Sequence, residues 1–151
     1  MCLEIKYCKK KNGFDVPKSK PVNGYKIMVR FKDKDTLIPK FSHDQYKVNV
    51  EYEAEPNGEI LIQDNAIGKS AFHYYTTKKQ AENDYKEYIR KKKKIEKNKP
   101  DYFGKNLLIS LVKCEFWGQS YKESKNLKHT ADNPVTSCSK YMKIIEIIDE
   151  A

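Results

Sequence analysis

Cys2 is the residue of this chain best placed to act as a nucleophile. Removal of Met1 would expose an α-amino group that can serve as the base activating the thiol. The next residues, Leu3, Glu4 and Ile5, alternate as in an ordinary strand and lack the glycine-rich sequence that follows many N-terminal nucleophiles. Cys2 is therefore the one catalytic candidate that the sequence offers.

A run of five cations, from Arg90 to Lys94, offers an electrostatic site instead. Successive residues of a helix are about 100° apart, so such a run cannot share one face and must project into solvent. Lys86, Arg90, Lys93 and Lys97 form a stripe beside it that could contact the phosphates of a polyanion. The alternative is a solvated helix C-terminus, where cations also interact favourably with the helix dipole.

Two ring-bearing residues complete the candidates. His73 lies among aromatic residues without a carboxylate or cysteine at ligand spacing, so packing within a strand is its alternative role. Trp117 closes an apolar strand and could stack on a base, or it could pack over the end of the sheet. The predicted binding residues are Lys86, Arg90, Lys91, Lys93, Lys94, Lys97, Trp117 and His73.

The four cysteines indicate neither a metal site nor a disulfide. Cys2 and Cys8 would be roughly 20 Å apart on a strand that rises about 3.3 Å per residue. Cys114 and Cys138 have no Cys or His close in sequence, and paired ligand spacing is absent. We predict four thiols, no bound metal and no cofactor.

Composition points to a basic protein of the cell interior. Thirty Lys and Arg against twenty-one Asp and Glu give a net charge of +9, which favours polyanionic partners, although a lysine-rich composition also maintains solubility. No apolar run approaches the roughly 18 residues of a membrane span, and the N-terminus lacks a signal-peptide pattern. The sequence therefore predicts an intracellular protein that does not bind membranes.

The elements that must position these residues follow from periodicity. Alternation predicts strands over 1–8, 25–31 and 46–54, with a turn at 56–58 that makes 59–63 a hairpin partner. Thr77 and Gln80 form a capping box that opens a helix over 77–97, ended by Pro100. Residues 107–112 predict a central strand that turns polar after Val112, and the isoleucines of 139–148 favour a further strand. Segments 9–24 and 122–134 are predicted loops.

These elements predict an α+β fold, with one mostly antiparallel twisted sheet packed on one main helix. The chain should form a single domain over residues 1–151. The residues expected in the core are Val29, Val48, Leu108, Leu111, Val112 and Ile145.

Short motifs along most of the chain resemble those of a known group of proteins. The chain opens with Met-Cys-Leu, places Phe-His-Tyr-Tyr before a Thr-capped helix, continues with Lys-Cys-Glu in a strand and closes with Tyr-Met-Lys-Ile-Ile. It thereby resembles a group of small, uncharacterised α+β proteins of phages and large DNA viruses. The resemblance implies a viral or mobile-element origin, and no activity comes with it.

Three functional hypotheses follow. The first is a non-enzymatic viral accessory protein of the host cytoplasm that binds a polyanion, whether nucleic acid, a nucleotide signal of host defence or an acidic host protein. The second is a minor structural or cementing component of a virion, with a basic face against virion proteins or packaged genome. The third is an enzyme that uses Cys2.

Overall fold

The computed structural model describes residues 5–6, 13–39, 44–54, 59–60, 62–63, 66–67, 70–103, 106–122 and 136–151. Within these ranges lie ten strands and one helix. In chain order they are β1 (Ile5–Lys6), β2 (Gly13–Val16), β3 (Val22–Phe31), β4 (Ile38–Pro39), β5 (Glu51–Glu53), β6 (Ile62–Gln63), β7 (Ala66–Ile67), β8 (Phe72–Tyr75), α1 (Lys78–Asn98), β9 (Leu107–Lys122) and β10 (Thr136–Glu150).

Two long strands organise the main sheet. β9 and β10 pair antiparallel from Ser110 opposite Glu150 to Lys122 opposite Ser137. The other edge of β9 pairs with β3 and then with β2, and the other edge of β10 pairs with β8 and β5. β4 pairs with β3, so the main sheet has seven strands. β1, β7 and β6 form a small separate sheet. The mostly antiparallel sheet on one helix confirms the predicted α+β class.

The main sheet curls until it meets itself. β3 pairs with β9, β9 with β10, β10 with β8, and β8 returns to β3 through Tyr25 opposite Tyr75. Three register shifts along β9 and β10 accompany the curvature, because each bulge adds one unpaired residue and increases the local twist. Two of them leave Ile145 and Ile148 outside the pairing, and the third lies beside Gly118, whose φ of 84° suits glycine.

The inner side of the curled sheet holds the largest apolar cluster. Stacked rings of Tyr74 and Phe116, 3.8 Å apart at 12°, lie over Gly24, where a Cβ atom would collide with both rings. Glycine is therefore required at this close approach. The other buried members of the cluster are Met28, Leu37, Ala54, Phe72, Val112, Cys114, Met142 and Ile144.

The outer side carries α1. Ala81 and Tyr85 are buried against Tyr75 and Leu111, and Tyr25, Ile27 and Ile109 pack around them. Thr77 caps the helix by accepting a hydrogen bond from the Gln80 backbone amide at 3.3 Å. The predicted helix is thus confirmed to within one residue at either end, and its predicted cap is present.

Several element predictions were wrong. The segment predicted as a loop over 9–24 contains β2 and the start of β3. The segment 59–63 is not the partner of 46–54, because β6 pairs with β7 and β5 pairs with β10. The predicted strand over 46–54 is interrupted at Asn49, whose φ of 66° breaks the extended conformation and leaves β5 as its remaining strand. The predicted turn at 56–58 lies outside the described residues.

The six core predictions have mixed outcomes. Leu111 and Val112 are buried as predicted, and Val48 packs against the inner cluster. Leu108, Val29 and Ile145 are only half-buried. Ile145 misses the core because it is a bulge residue, so its neighbour Ile144 occupies the inner face instead. The polar residues that follow Val112 were expected where β9 leaves the core, but the strand stays in the core there, since Cys114 and Phe116 are fully buried.

Candidate functional site

The cationic stripe lies on the side of α1 that faces away from the sheet. Ala81 and Tyr85 mark the docked side, on which Tyr88 is half-buried. At about 100° per residue, the predicted stripe of Lys86, Arg90, Lys93 and Lys97 falls opposite this docked side, and all four residues are exposed. The predicted stripe is therefore brought together on one accessible surface.

Arg90 differs from its neighbours because its charge is paired. Its Nε and Nη2 donate to the two carboxylate oxygens of Glu87 at 3.1 and 2.5 Å. The hydrogen bond with Glu87 raises the pKa of Arg90 and lowers that of Glu87 below its ordinary value. A bidentate pair of this kind leaves Arg90 less able than a lysine to recruit a second anion.

Lys92 has a structural role that its place in the run conceals. Its side chain is only 12% exposed, and its Nζ donates to the carbonyl of Leu107 at 2.8 Å, with Glu96 at 3.4 Å. These contacts tie the last turns of α1 to the first residue of β9. The run of five cations thus contains one arginine with a paired charge, one structural lysine and three lysines that point into solvent.

The remaining cations form what we call the lysine surface: Lys86, Lys91, Lys93, Lys94 and Lys97. All five are exposed, and none forms an ion pair with a residue in the described part of the chain. The carboxylates nearest in sequence, Glu87 and Glu96, are engaged by Arg90 and Lys92. Only Lys91 lies close enough to Glu87 to help lower the pKa of that carboxylate, so the lysine surface keeps a net positive charge.

Two exposed aromatic rings lie at the end of β3 and just after the end of α1, and sequence reasoning missed them. Tyr102 is 63% exposed, and Lys99 Nζ lies 5.9 Å from its ring centroid. Phe31, 37% exposed, has Lys34 Nζ at 5.9 Å. We call Tyr102 and Phe31 the aromatic rim. The signal for Tyr102 was an aromatic pair, Tyr102 and Phe103, immediately after the predicted end of a basic helix.

Hydrogen bonds place the aromatic rim at the C-terminal end of α1. The Lys99 amide donates to Ile95, and the Tyr102 amide donates to Lys99 at 3.1 Å, so Tyr102 directly follows the last turn. Phe31 is the pairing partner of Leu107, the residue whose carbonyl accepts from Lys92. The end of β3 therefore lies beside the last turns of α1. We call this region, with the aromatic rim, the pole of the molecule.

Trp117 and His73 do not join this surface. Trp117 is ten residues further along β9 than Leu107, roughly 30 Å away at strand rise. It is 8% exposed, its ring stacks on Tyr141 at 5.9 Å, and Lys18 Nζ lies 5.8 Å from its centroid. His73 is buried in β8, and its carbonyl accepts a hydrogen bond from Lys26 Nζ. Neither ring is presented to solvent for a base to stack on.

The cysteines that can be placed are buried. Cys114 and Cys138 are buried thiols outside any disulfide, as predicted for these two. Burial raises the pKa of Cys114 to about 12, which disfavours the nucleophilic thiolate. Cys2 and Cys8 lie outside the described residues. Among the residues that the structure describes, no cluster of three or more His, Cys, Asp or Glu side chains could hold a metal ion.

One cavity opens near the start of α1, away from the lysine surface. Its volume is about 250 Å³, and it is lined by Tyr25, Lys78, Lys113, Glu146, Ile147 and Ile148. Lys113 and Glu146 stand opposite each other in the pairing of β9 with β10. The lining mixes both signs of charge with isoleucine, so it has no charge preference comparable to that of the lysine surface.

No protein-family model, curated protein or solved structure matches this chain. In the described ranges, no helix combines the length and apolar character that crossing a bilayer requires.

Proposed function

We propose that this protein acts by binding a polyanionic partner through the lysine surface. The observation that carries the proposal is a set of five exposed lysines around the solvent-facing part of α1, none of which forms an ion pair with a described carboxylate. A patch of one sign attracts anions over several ångströms and binds phosphates with release of counterions.

The lysine surface is also unfavourable for the isolated helix. Like charges three or four residues apart repel, and Lys93–Lys97, Lys91–Lys94 and Lys94–Lys97 are such pairs. Each pair destabilises a helix by roughly 0.2–0.5 kcal/mol. An arrangement that weakens the fold slightly but concentrates charge is expected where an anion binds, since the anion relieves the repulsion.

The charge of the surface fits nucleic acid, a nucleotide signal or an acidic protein equally. A viral accessory role in the host cytoplasm extends this proposal from the resemblance of the sequence. The virion-component and Cys2-enzyme hypotheses stay predictions, because neither gains an observation from the described residues.

A pair of matched double variants tests the proposal. Lys93→Gln with Lys97→Gln removes two charges from the lysine surface, and Lys20→Gln with Lys47→Gln removes two exposed charges elsewhere. Labelled duplex DNA, single-stranded RNA and heparin are titrated with each protein at several salt concentrations. If both lysines contact phosphates, the slope of log affinity against log salt concentration should be shallower in the first variant. The expected difference is about 1.4 for single strands and about 1.8 for duplex.

The control variant should keep the parent's affinity and slope, apart from a small uniform loss due to net charge. Equal weakening in the two variants would show that total charge, not the lysine surface, attracts polyanions. Absence of binding to all three probes by the parent protein would overturn the proposed function.

A further inference from the structure

Large apolar side chains are exposed at few places in the described residues, and most of these places lie in or near the C-terminal half of α1. The four are Phe31, Val50, Ile95 and Tyr102. Three of them lie at the C-terminal end of α1 or at the end of β3 beside it, and Val50 lies in the segment before β5. Tyr102 is the most exposed, although ten other tyrosines occur in the chain and several are buried.

The Tyr102 ring is held in place rather than loosely extended. Phe103 meets it edge-on, with centroids 4.8 Å apart at 88°, and the amide of Tyr102 is fixed to the Lys99 carbonyl. Lys99 Nζ sits 5.9 Å from the ring centroid. A ring oriented by its neighbours and still 63% exposed offers a flat face to a ligand at little entropic cost.

Phe31 repeats the arrangement with different residues. Lys34 Nζ lies 5.9 Å from its centroid, and the Lys34 amide donates to the Phe31 carbonyl at 3.0 Å. The Lys32 amide donates to Asn106, which follows Phe103 by three residues and therefore lies within about 11 Å of it along the chain. Both ring-and-lysine units therefore lie in or beside the connection between α1 and β9: Tyr102 belongs to it, and Phe31 pairs with Leu107 where it ends.

We infer that this pole takes single-stranded nucleic acid, with unpaired bases stacked on Tyr102 and Phe31 and the phosphates held by the lysine surface. The inference rests on the proposed function and narrows its partner. Alternating cations and exposed aromatic rings match the alternation of phosphate and base along a single strand. A duplex hides its base faces, and an acidic protein offers none, so neither would use the rings.

The test compares Tyr102→Ala with Tyr102→Phe, which keeps the ring, and with Val50→Ala, which shortens an exposed apolar side chain in another part of the structure. The probes are a labelled oligouridine RNA, an oligothymidine DNA of equal length, a duplex of that length, heparin and polyglutamate. Tyr102→Ala should weaken single-strand binding about 5- to 150-fold, as expected for the loss of one stacked base.

The same variant should bind duplex and heparin as the parent does, and Tyr102→Phe and Val50→Ala should match the parent on every probe. Phe31→Ala should show a loss of the same kind. Crosslinking of thiouridine-substituted RNA should modify peptides containing Tyr102 or Phe31.

Unchanged single-strand affinity in Tyr102→Ala, with weakening in the Lys93 and Lys97 double variant, would overturn the stacking inference and leave the proposed function standing. Tighter binding of duplex or polyglutamate than of single strands would also overturn it. If the parent binds none of the probes, both proposals fail together. Thermal unfolding of each variant excludes misfolding as the cause of a loss.

Discussion

The two halves of α1 differ in charge and in their relation to the rest of the molecule. Residues 78–88 carry three cations and three carboxylates, whereas residues 89–98 carry six cations and one carboxylate. The first half packs Ala81 and Tyr85 into the layer between helix and sheet, and its Asp84 accepts a hydrogen bond from Tyr75 at 2.6 Å. The second half contacts the sheet side through Ile89 and Lys92 and otherwise points its charges into solvent. The comparison shows that the fold uses the first half, which leaves the lysines of the second half available for a partner.

The largest expected effect lies beneath the first half. Leu111→Ala removes a buried side chain of β9 and leaves a cavity facing Tyr75 and Tyr85, which should lower the free energy of unfolding by about 2–5 kcal/mol. Denaturant unfolding measures the loss, and polyanion binding should not change while the protein is folded. A loss below about 1 kcal/mol would mean that the helix does not depend on this contact.

Two neighbouring hydroxyl groups of the docked layer should respond in opposite directions. Tyr75→Phe removes the donor to Asp84 and should destabilise by about 1–3 kcal/mol. The Tyr85 hydroxyl is buried without a hydrogen-bond partner among the described residues, so Tyr85→Phe should stabilise by about 1 kcal/mol. Paired denaturant titrations compare them, and a change of the same sign in both would contradict the arrangement of the layer.

The docked layer also predicts a sensitivity to alkaline pH. Burial raises the pKa of Tyr85 and of Tyr88 from 10.0 to about 12, and burial together with the hydrogen bond to Asp84 raises that of Tyr75. The unfolded chain therefore releases these protons first, and stability should fall as pH rises from 10.0 towards 12. The stability of Tyr85→Phe should fall less steeply with rising pH than that of the parent. Parallel curves of stability against pH would contradict the assignment of this dependence to Tyr85.

The smallest effect on stability belongs to the second half of α1. Replacing Lys91, Lys93, Lys94 and Lys97 by Gln should change the free energy of unfolding by less than about 1 kcal/mol. The relief of three repulsive pairs, each worth roughly 0.2–0.5 kcal/mol, is opposed by the loss of cations that interact favourably with the helix dipole. The same variant should lower the salt slope for single-stranded RNA by up to about 2.8. A large loss of stability would show that these lysines serve the fold and would remove the contrast between the two halves.

The local pattern of the sequence determined the helix and most of the strand content. A capping threonine, helical spacing of Ala81 and Tyr85, and the isoleucines near the C-terminus are properties of neighbouring residues, so α1 and β10 could be predicted. The cationic stripe followed for the same reason, since residues three or four apart share a helix face. The solvent exposure of its lysines followed too, because no helix can bury five consecutive cations.

Tertiary structure alone decided which strands pair, which isoleucine is buried and which cations are engaged. Bulges at Ile145 and Ile148 exchange the two faces of β10. Adjacent isoleucines at 144–145 and 147–148 fit either register, so the sequence pattern does not show where the shift occurs. The pairing of Arg90 and the anchoring of Lys92 depend on the geometry of Glu87 and Leu107. The aromatic rim forms because β3 and α1 end at the same pole, although Phe31 and Tyr102 are far apart in sequence.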